Sequence, residues 1–175
     1  MNDGWDRSAG AWIAAIGEQG DWGRKHVLDP IMLQRASARR FKRALDVGCG
    51  EGRFCRMLQA RGIPAVGIDP TEALLAEARK RGPKGEYHCA RAESLPFPGA
   101  SFDLVVSYLT LIDIADFRTA LKEMVRVLIR EDTKEKFLSN GVESVGSSPE
   151  ELATAVKSEM LTMGKLIKDA GIRAE

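Results

Sequence analysis

Between Ala44 and Phe54 the chain reads ALDVGCGEGRF, an apolar run interrupted by Asp46, followed by glycines at 48, 50 and 52 with Glu51 among them. A turn with few side chains lets a ligand approach the backbone, and a strand-like run leading through such a turn into a helical pattern suits a nucleotide. The spacing excludes the two common phosphate-binding forms. The third glycine of G-x-G-x-x-G would fall at position 53, which is Arg53, and no Lys-Ser or Lys-Thr pair follows the turn. Asp46 and Glu51 would oppose a pyrophosphate and attract an ammonium or a sulfonium. Asp69 ends the next apolar run about twenty residues on, where a carboxylate accepts both hydroxyls of a ribose. The other reading of Asp69 is an Asp-Pro turn that caps the following helix.

Those residues need elements that bring them to one edge. Trp12, Ile13 and Ile16 share a helical face, and a second helix is predicted over Pro30 to Ala38. RALDVG reads as a short buried strand, and GRFCRMLQARG as a helix with Phe54, Met57 and Leu58 on one side and Gly62 as its stop. IPAVGID is the next strand, followed by a helix with Thr71 as a possible cap and Gly82-Pro83 at its end. EYHCARA and FDLVVSYL are two further strands, the second apolar enough for burial on both faces. A helix from Asp116 to Leu128 carries Leu121, Met124, Val125 and Leu128 at core spacing. Alternating strands and helices with short links predict a parallel sheet covered by helices, with ligands at the carboxyl ends of its strands. Gly48 to Gly52, Asp69, Ala92, Glu93 and Ser107 then share one rim. S-adenosylmethionine satisfies these demands, with a ribose, a positive charge and no phosphate.

The successive stretches ALDVGCGEGRF, VGIDPTEALLAEAR, ARAESLPFPGASFDLVVSYL and ALKEMVRVL resemble the ordered motifs of class I S-adenosylmethionine-dependent methyltransferases of the small-molecule, type 11 kind. The resemblance covers residues 1–128 and implies an α/β, Rossmann-like sheet. By that resemblance Asp46, Gly48, Cys49 and Gly50 contact the methionine part of the cofactor, Asp69 the ribose, Pro70 the underside of the adenine, Ala92 and Glu93 its edge, and Ser107 the substrate side. Arg91 departs from the pattern, since many relatives carry Asp there to accept from the adenine amino group.

The implied reaction is an in-line displacement from sulfonium to an acceptor atom, so alignment can carry much of the catalysis. No catalytic residue is assigned. Tyr108, Asp113 and His26 could orient or deprotonate a small-molecule acceptor, or serve as rim packing, helix entry and solvated loop. Trp5, Trp12 and Trp22 could roof the acceptor or pack the first helices together.

Composition restricts the setting. The 175 residues are 44% hydrophobic and 29% charged, enough for one domain with a core, and the formal net charge of +1 gives no electrostatic case for nucleic acid. RASARRFKR reads as a solvated helix face. Cys49, Cys55 and Cys89 form no CxxC and no zinc spacing with His26 or His88. With no secretory or membrane-spanning pattern at the N-terminus, a cytoplasmic location is expected.

After Leu128 the pattern changes, so the methyltransferase sheet is expected to stop after its fourth strand, with an unrelated helical tail over 129–175. Ser148, Pro149 and Glu151 form a capping pattern ahead of an apolar stripe at Leu152, Val156, Met160, Met163 and Ile167. From about Asp132 the tail resembles the C-terminal end of the periplasmic solute receptors of tripartite tricarboxylate transporters, which implies a fusion near 129–132. The expected function is methyl transfer from S-adenosylmethionine to a small acceptor. The alternatives are a cofactor-binding module without turnover and, third, a receptor remnant. An open fourth-strand edge implies a homodimer or repair by the tail.

Overall fold

The computed structural model describes residues 4–128, which lie in the first of the two units into which the chain divides, Met1–Arg130 and Glu131–Glu175. The fusion point, the VESVG stretch and the helix capped at Ser148 fall outside the described residues. Helix α1 spans Gly4–Ile16, and a π-helical turn over Arg24–Leu28 runs directly into α2, Asp29–Ala36. Strand β1 (Ala44–Val47), α3 (Arg53–Gln59), β2 (Ala65–Asp69), α4 (Glu72–Arg81), β3 (Glu86–Cys89) and β4 (Leu104–Val106) then alternate, followed by a 3₁₀ turn at Leu111–Asp113 and α5, Phe117–Val127. The sheet order is β3-β2-β1-β4 with every pair parallel. Ala44 stands opposite both Ala65 and Leu104, which brings Val47, Ile68 and Val106 toward the same end.

The central strands are buried along their whole length because helices cover both faces. Alternate residues feed two cores. Ala44, Ala65 and Val106 join Phe54, Leu58 and Leu75 on one face, while Leu45, Val47, Val66 and Ile68 join Phe102, Ala120, Met124 and Val127 on the other.

Several elements differ from the sequence reading. The third strand ends at Cys89, so Arg91 and Ala92 lie in the turn after it. The fourth is shorter than FDLVVSYL, and only Val106 of its residues is buried, because β4 is the edge of the described sheet. On its outer side Phe102 pairs in parallel with Leu128, and the Ser101 and Phe102 N–H groups donate to the Val127 carbonyl. Helix α5 buries Ala120, Met124 and Val127, so Leu121 and Val125 are exposed with Phe117. The apolar face is wider than the core it meets. Asp116 caps that helix by accepting from the Thr119 N–H at 3.0 Å. Thr71 precedes α4, but its side chain caps nothing. The basic run is not a helix face, since α2 ends at Ala36 and the following residues cross to β1. There Asp103 accepts from the Lys42 and Arg43 N–H groups at 2.8 and 3.0 Å, and Arg39 and Arg43 lie over Phe41 and Phe102.

Phe102 is fully buried and joins the edge strand to both Phe97 and Leu128. Phe102→Ala should lower unfolding free energy by about 3–5 kcal/mol, measured by urea denaturation.

Candidate functional site

A cavity of about 440 Å³ opens at the carboxyl ends of the strands. Its floor is the turn after β1. The Gly48 and Cys49 N–H groups both donate to the Ile68 carbonyl, at 2.8 and 2.9 Å, which bends the chain sharply out of the strand. Gly48 has φ +76°, and a Cβ there would stand 2.0 Å from Thr110 Cγ2. Gly48 is therefore packed against Thr110, whose hydroxyl donates to the Gly48 carbonyl at 3.2 Å. Gly50, at φ +54°, has nothing within 4 Å of where a Cβ would project, so this is the turn position with open space around it.

Two carboxylates from adjacent strands line the cavity beside that turn. Asp69 accepts from the Gly50 N–H through Oδ2 at 2.9 Å and from the Thr71 N–H through Oδ1 at 2.8 Å. It forms the Asp-Pro turn and holds the glycine turn at once. Asp46 is buried, and only its Oδ2 is engaged, by the Cys55 thiol at 3.4 Å. Its Oδ1 has no hydrogen-bond partner among the described residues. Burial, and to a lesser degree the neighbouring Asp69 and Glu51, push its pKa up to about 7. The Cys49 thiol beside it and burial hold the Cys55 thiol well above its ordinary value.

Glu51 changes the charge argument. Arg56 and Arg81 meet its Oε2 at 2.6 and 3.2 Å, so its charge is spent within the protein. Asp46 and Asp69 are the other acids that line the cavity beside the turn. On the far rim Pro70, Ala92 and Glu93 line the cavity, with Glu93 paired to Arg91 at 2.9 Å. Ser107 is not among the lining residues, and its hydroxyl is buried without a partner among the described residues. The lining residues after β4 are Tyr108, Leu109 and Thr110, with Ile112, Asp113 and Ile114 beyond them.

The N-terminal segment forms the other wall. Trp5 and Trp12 line the cavity edge to face, 5.2 Å apart, with Ile16 and Arg24. Trp22 and His26 stack on each other outside the lining, and Trp22 is 72% exposed. Arg53 and Arg81 tie this segment to the core by donating to the Gln19 and Gly17 carbonyls at 2.5 and 2.8 Å. Arg53 also grips the buried Asp29 at 2.5 and 3.0 Å, and the Tyr108 hydroxyl donates to the same carboxylate at 2.9 Å. Burial first, and then that hydrogen bond, raise the Tyr108 pKa, which keeps the phenol protonated. Arg24, Asp29, Arg53 and Thr110 were absent from the sequence reading of the site. Asp29, Arg53 and Thr110 take partners far away in the chain, whereas Arg24 pairs with Asp21, three residues before it.

Among the described residues no cluster of His, Cys, Asp or Glu is suited to a metal, no helix is long and apolar enough to cross a membrane, and the three cysteines are free.

Residues 45–132 match a methyltransferase domain family. A malonyl-(acyl-carrier protein) O-methyltransferase of Enterobacter lignolyticus is 36% identical over 55% of this chain and 39% of its own length. A probable S-adenosylmethionine-dependent methyltransferase of Mycolicibacterium smegmatis is 31% identical over 66% of this chain and 44% of its own. The crystal structure of an S-adenosylmethionine-dependent methyltransferase of Thermotoga maritima, described as a possible histamine N-methyltransferase, superposes with a TM-score of 0.58 at 26% identity, over 72% of this chain and 56% of that one. The chain thus spans less than half the length of these curated relatives.

The two loop glycines should respond differently. Gly50→Ala adds a Cβ in open space and costs about 1–2 kcal/mol through its left-handed backbone, whereas Gly48→Ala adds the collision with Thr110 and should cost more, as urea denaturation of both variants would show. Asp46 gives a pH signature. Its folded pKa near 7 lies above the unfolded value, so its contribution to stability is fully present below the unfolded pKa and is lost as pH rises through 7. Asp46→Asn should therefore gain stability relative to the parent chain between pH 5 and pH 8 in parallel urea titrations.

Proposed function

The chain belongs to the methyltransferase domain family, and from that premise we propose that it binds S-adenosylmethionine in the cavity above the glycine turn and transfers its methyl group to a small, largely apolar acceptor. The observation that carries this reading is the pair of carboxylates at the ends of adjacent strands, one with an unpartnered buried oxygen and one fastened to the turn by two backbone N–H groups. Asp46 Oδ1 suits an ammonium, which would satisfy an oxygen that otherwise stays buried and unpaired. Asp69, at the end of β2 and lining the cavity, suits the ribose hydroxyls, and the open space at Gly50 lets the methionine chain lie against backbone. Pro70 and Ala92 offer apolar contact to the adenine, with Glu93 and Arg91 at its edge.

When bound, the cofactor supplies an electrophilic methyl on a sulfonium that is already a good leaving group. The protein's part is alignment and exclusion of water. Trp5, Trp12 and Ile16 on one side and Leu109, Ile112 and Ile114 on the other make the acceptor side of the cavity mostly apolar. Tyr108 is no base, because its proton is given to Asp29 and its pKa is raised. Its oxygen can instead accept a hydrogen bond from a bound molecule. Asp113 is the carboxylate on this side, placed to receive a proton from an acceptor hydroxyl or amine. The free thiols suit a reducing, cytoplasmic setting.

Calorimetric titration tests the cofactor, and release of S-adenosylhomocysteine across a panel of carboxylic acids, amines and phenols tests the transfer. Asp69→Ala should weaken S-adenosylmethionine binding by about 1.5–3 kcal/mol through loss of charge-assisted hydrogen bonds. Unchanged affinity in the folded variant would remove Asp69 from the site.

A further inference from the structure

All strand pairs are parallel, so every strand is entered from the same end of the sheet, opposite the cavity. The loops at that end are basic. Arg39, Arg40, Lys42 and Arg43 precede β1, Arg61 precedes β2 and Lys84 precedes β3, and all six are exposed. Beside them stand Asp103, before β4, and Glu86, at the start of β3. Asp103 spends its carboxylate on the Lys42 and Arg43 backbone N–H groups, and Glu86 lies 3.5 Å from Arg43 and 2.9 Å from His88. The side chains of Arg40, Lys42, Arg61 and Lys84 make no ion pair among the described residues. A groove of about 480 Å³ lies among the strand starts, lined by Lys42, Arg43, Lys84 and Glu86 around Pro64 and Ala65. Two of the guanidiniums are held in place, Arg39 at 4.6 Å from the centre of the Phe41 ring and Arg43 at 4.9 Å from that of Phe102. The formal net charge of +1 for the whole chain conceals this concentration.

In the sheet order β3-β2-β1-β4 these cations form a row, from Lys84 through Arg61 to Lys42 and Arg43, with Arg39 reaching the Asp103 carbonyl before β4 at 3.1 Å. Neighbouring strands stand about 4.8 Å apart, so the row is about 15 Å wide. One small anion would engage only part of it, whereas a linear polyanion meets the whole. We propose that the strand-entry end of the sheet binds the phosphate backbone of a nucleic acid duplex through charge alone. A protein partner needs apolar anchors, and none of the exposed large hydrophobic residues lies in these entry loops. Phe41 is half-buried beneath Arg39 and Phe102 is fully buried, so neither ring is free to stack an unpaired base, which favours a duplex over a single strand. Guanidinium forks and ammonium groups without carboxylate partners are the donors that phosphates take. The nucleic acid is not the methyl acceptor in this arrangement, because the cavity opens at the other end of the strands. It anchors the protein, and the inference does not depend on the cofactor reading.

The test is fluorescence anisotropy of a labelled, mixed-sequence DNA duplex titrated with the full chain between about 50 and 200 mM salt. The affinity should fall with rising salt along a log–log slope of about −3 to −4, which corresponds to about four neutralised phosphates. Lys42→Gln and Lys84→Gln, at exposed side chains without ion pairs, should each weaken binding and reduce the steepness of the slope by about 1. Lys122→Gln removes the same charge from an exposed position on α5 and should leave affinity and slope unchanged. Unlabelled duplex should displace the probe, and poly-glutamate at the same concentration of charge should displace it poorly. A duplex that does not bind at the lowest salt, a slope unaltered in Lys42→Gln and Lys84→Gln, or an equal loss in Lys122→Gln would each overturn the proposal. Equal displacement by poly-glutamate would also overturn it, by making this end a docking surface for an acidic protein.

Discussion

The site is organised by one carboxylate. Asp69 ends β2 and spends one lone pair of each oxygen on a backbone N–H, Gly50 from the turn after β1 and Thr71 from the entry to α4. That double acceptance joins two neighbouring strand ends at the point where ligands bind in parallel sheets. It also explains why the turn needs glycine, since a chain that leaves β1, donates twice to the Ile68 carbonyl and then presents the Gly50 N–H to Asp69 passes through left-handed conformations at Gly48, Gly50 and Gly52. Asp46 shows the opposite economy. It is buried with one oxygen unmatched, a cost that a bound cation would relieve.

The N-terminal segment depends on the same region. Arg53 opens α3 directly after the glycine turn, and its guanidinium reaches both Asp29 in α2 and the Gln19 carbonyl. Arg81 closes α4 and reaches the Gly17 carbonyl. The two helices that flank the sheet thus hold the segment bearing Trp5, Trp12 and Arg24 along the cavity. Tyr108 joins from beyond the end of β4 through Asp29, so the segment after β4 and the N-terminal segment share one polar network with Arg53.

Local pattern made most of this arrangement legible. Asp46, Gly48, Gly50 and Asp69 stand at strand ends whose apolar runs are short and sharply bounded, and the parallel α/β sheet follows from strands and helices taken in turn. What the chain's pattern could not show was pairing between distant residues. Glu51 looked like a charge offered to a ligand, yet Arg56 and Arg81 consume it. The basic run before β1 looked like a helix face, yet Asp103 fastens its backbone to the start of β4. Leu121 and Val125 have helical spacing, but α5 is rotated so that Ala120, Met124 and Val127 meet the sheet. Ser107 and Tyr108 follow β4 side by side, and only Tyr108 lines the cavity. Arg24 carries no motif at all, and only the fold brings it to the cavity wall.

The central claim is that the two carboxylates beside the glycine turn form a nucleoside and amino-acid site. A crystal structure of the chain with S-adenosylhomocysteine tests it most directly. The ribose hydroxyls should lie within hydrogen-bond distance of Asp69, and the amino group at Asp46 Oδ1. Density for the nucleoside away from Asp69, or a bound ligand that leaves Asp46 Oδ1 unpartnered, would contradict it.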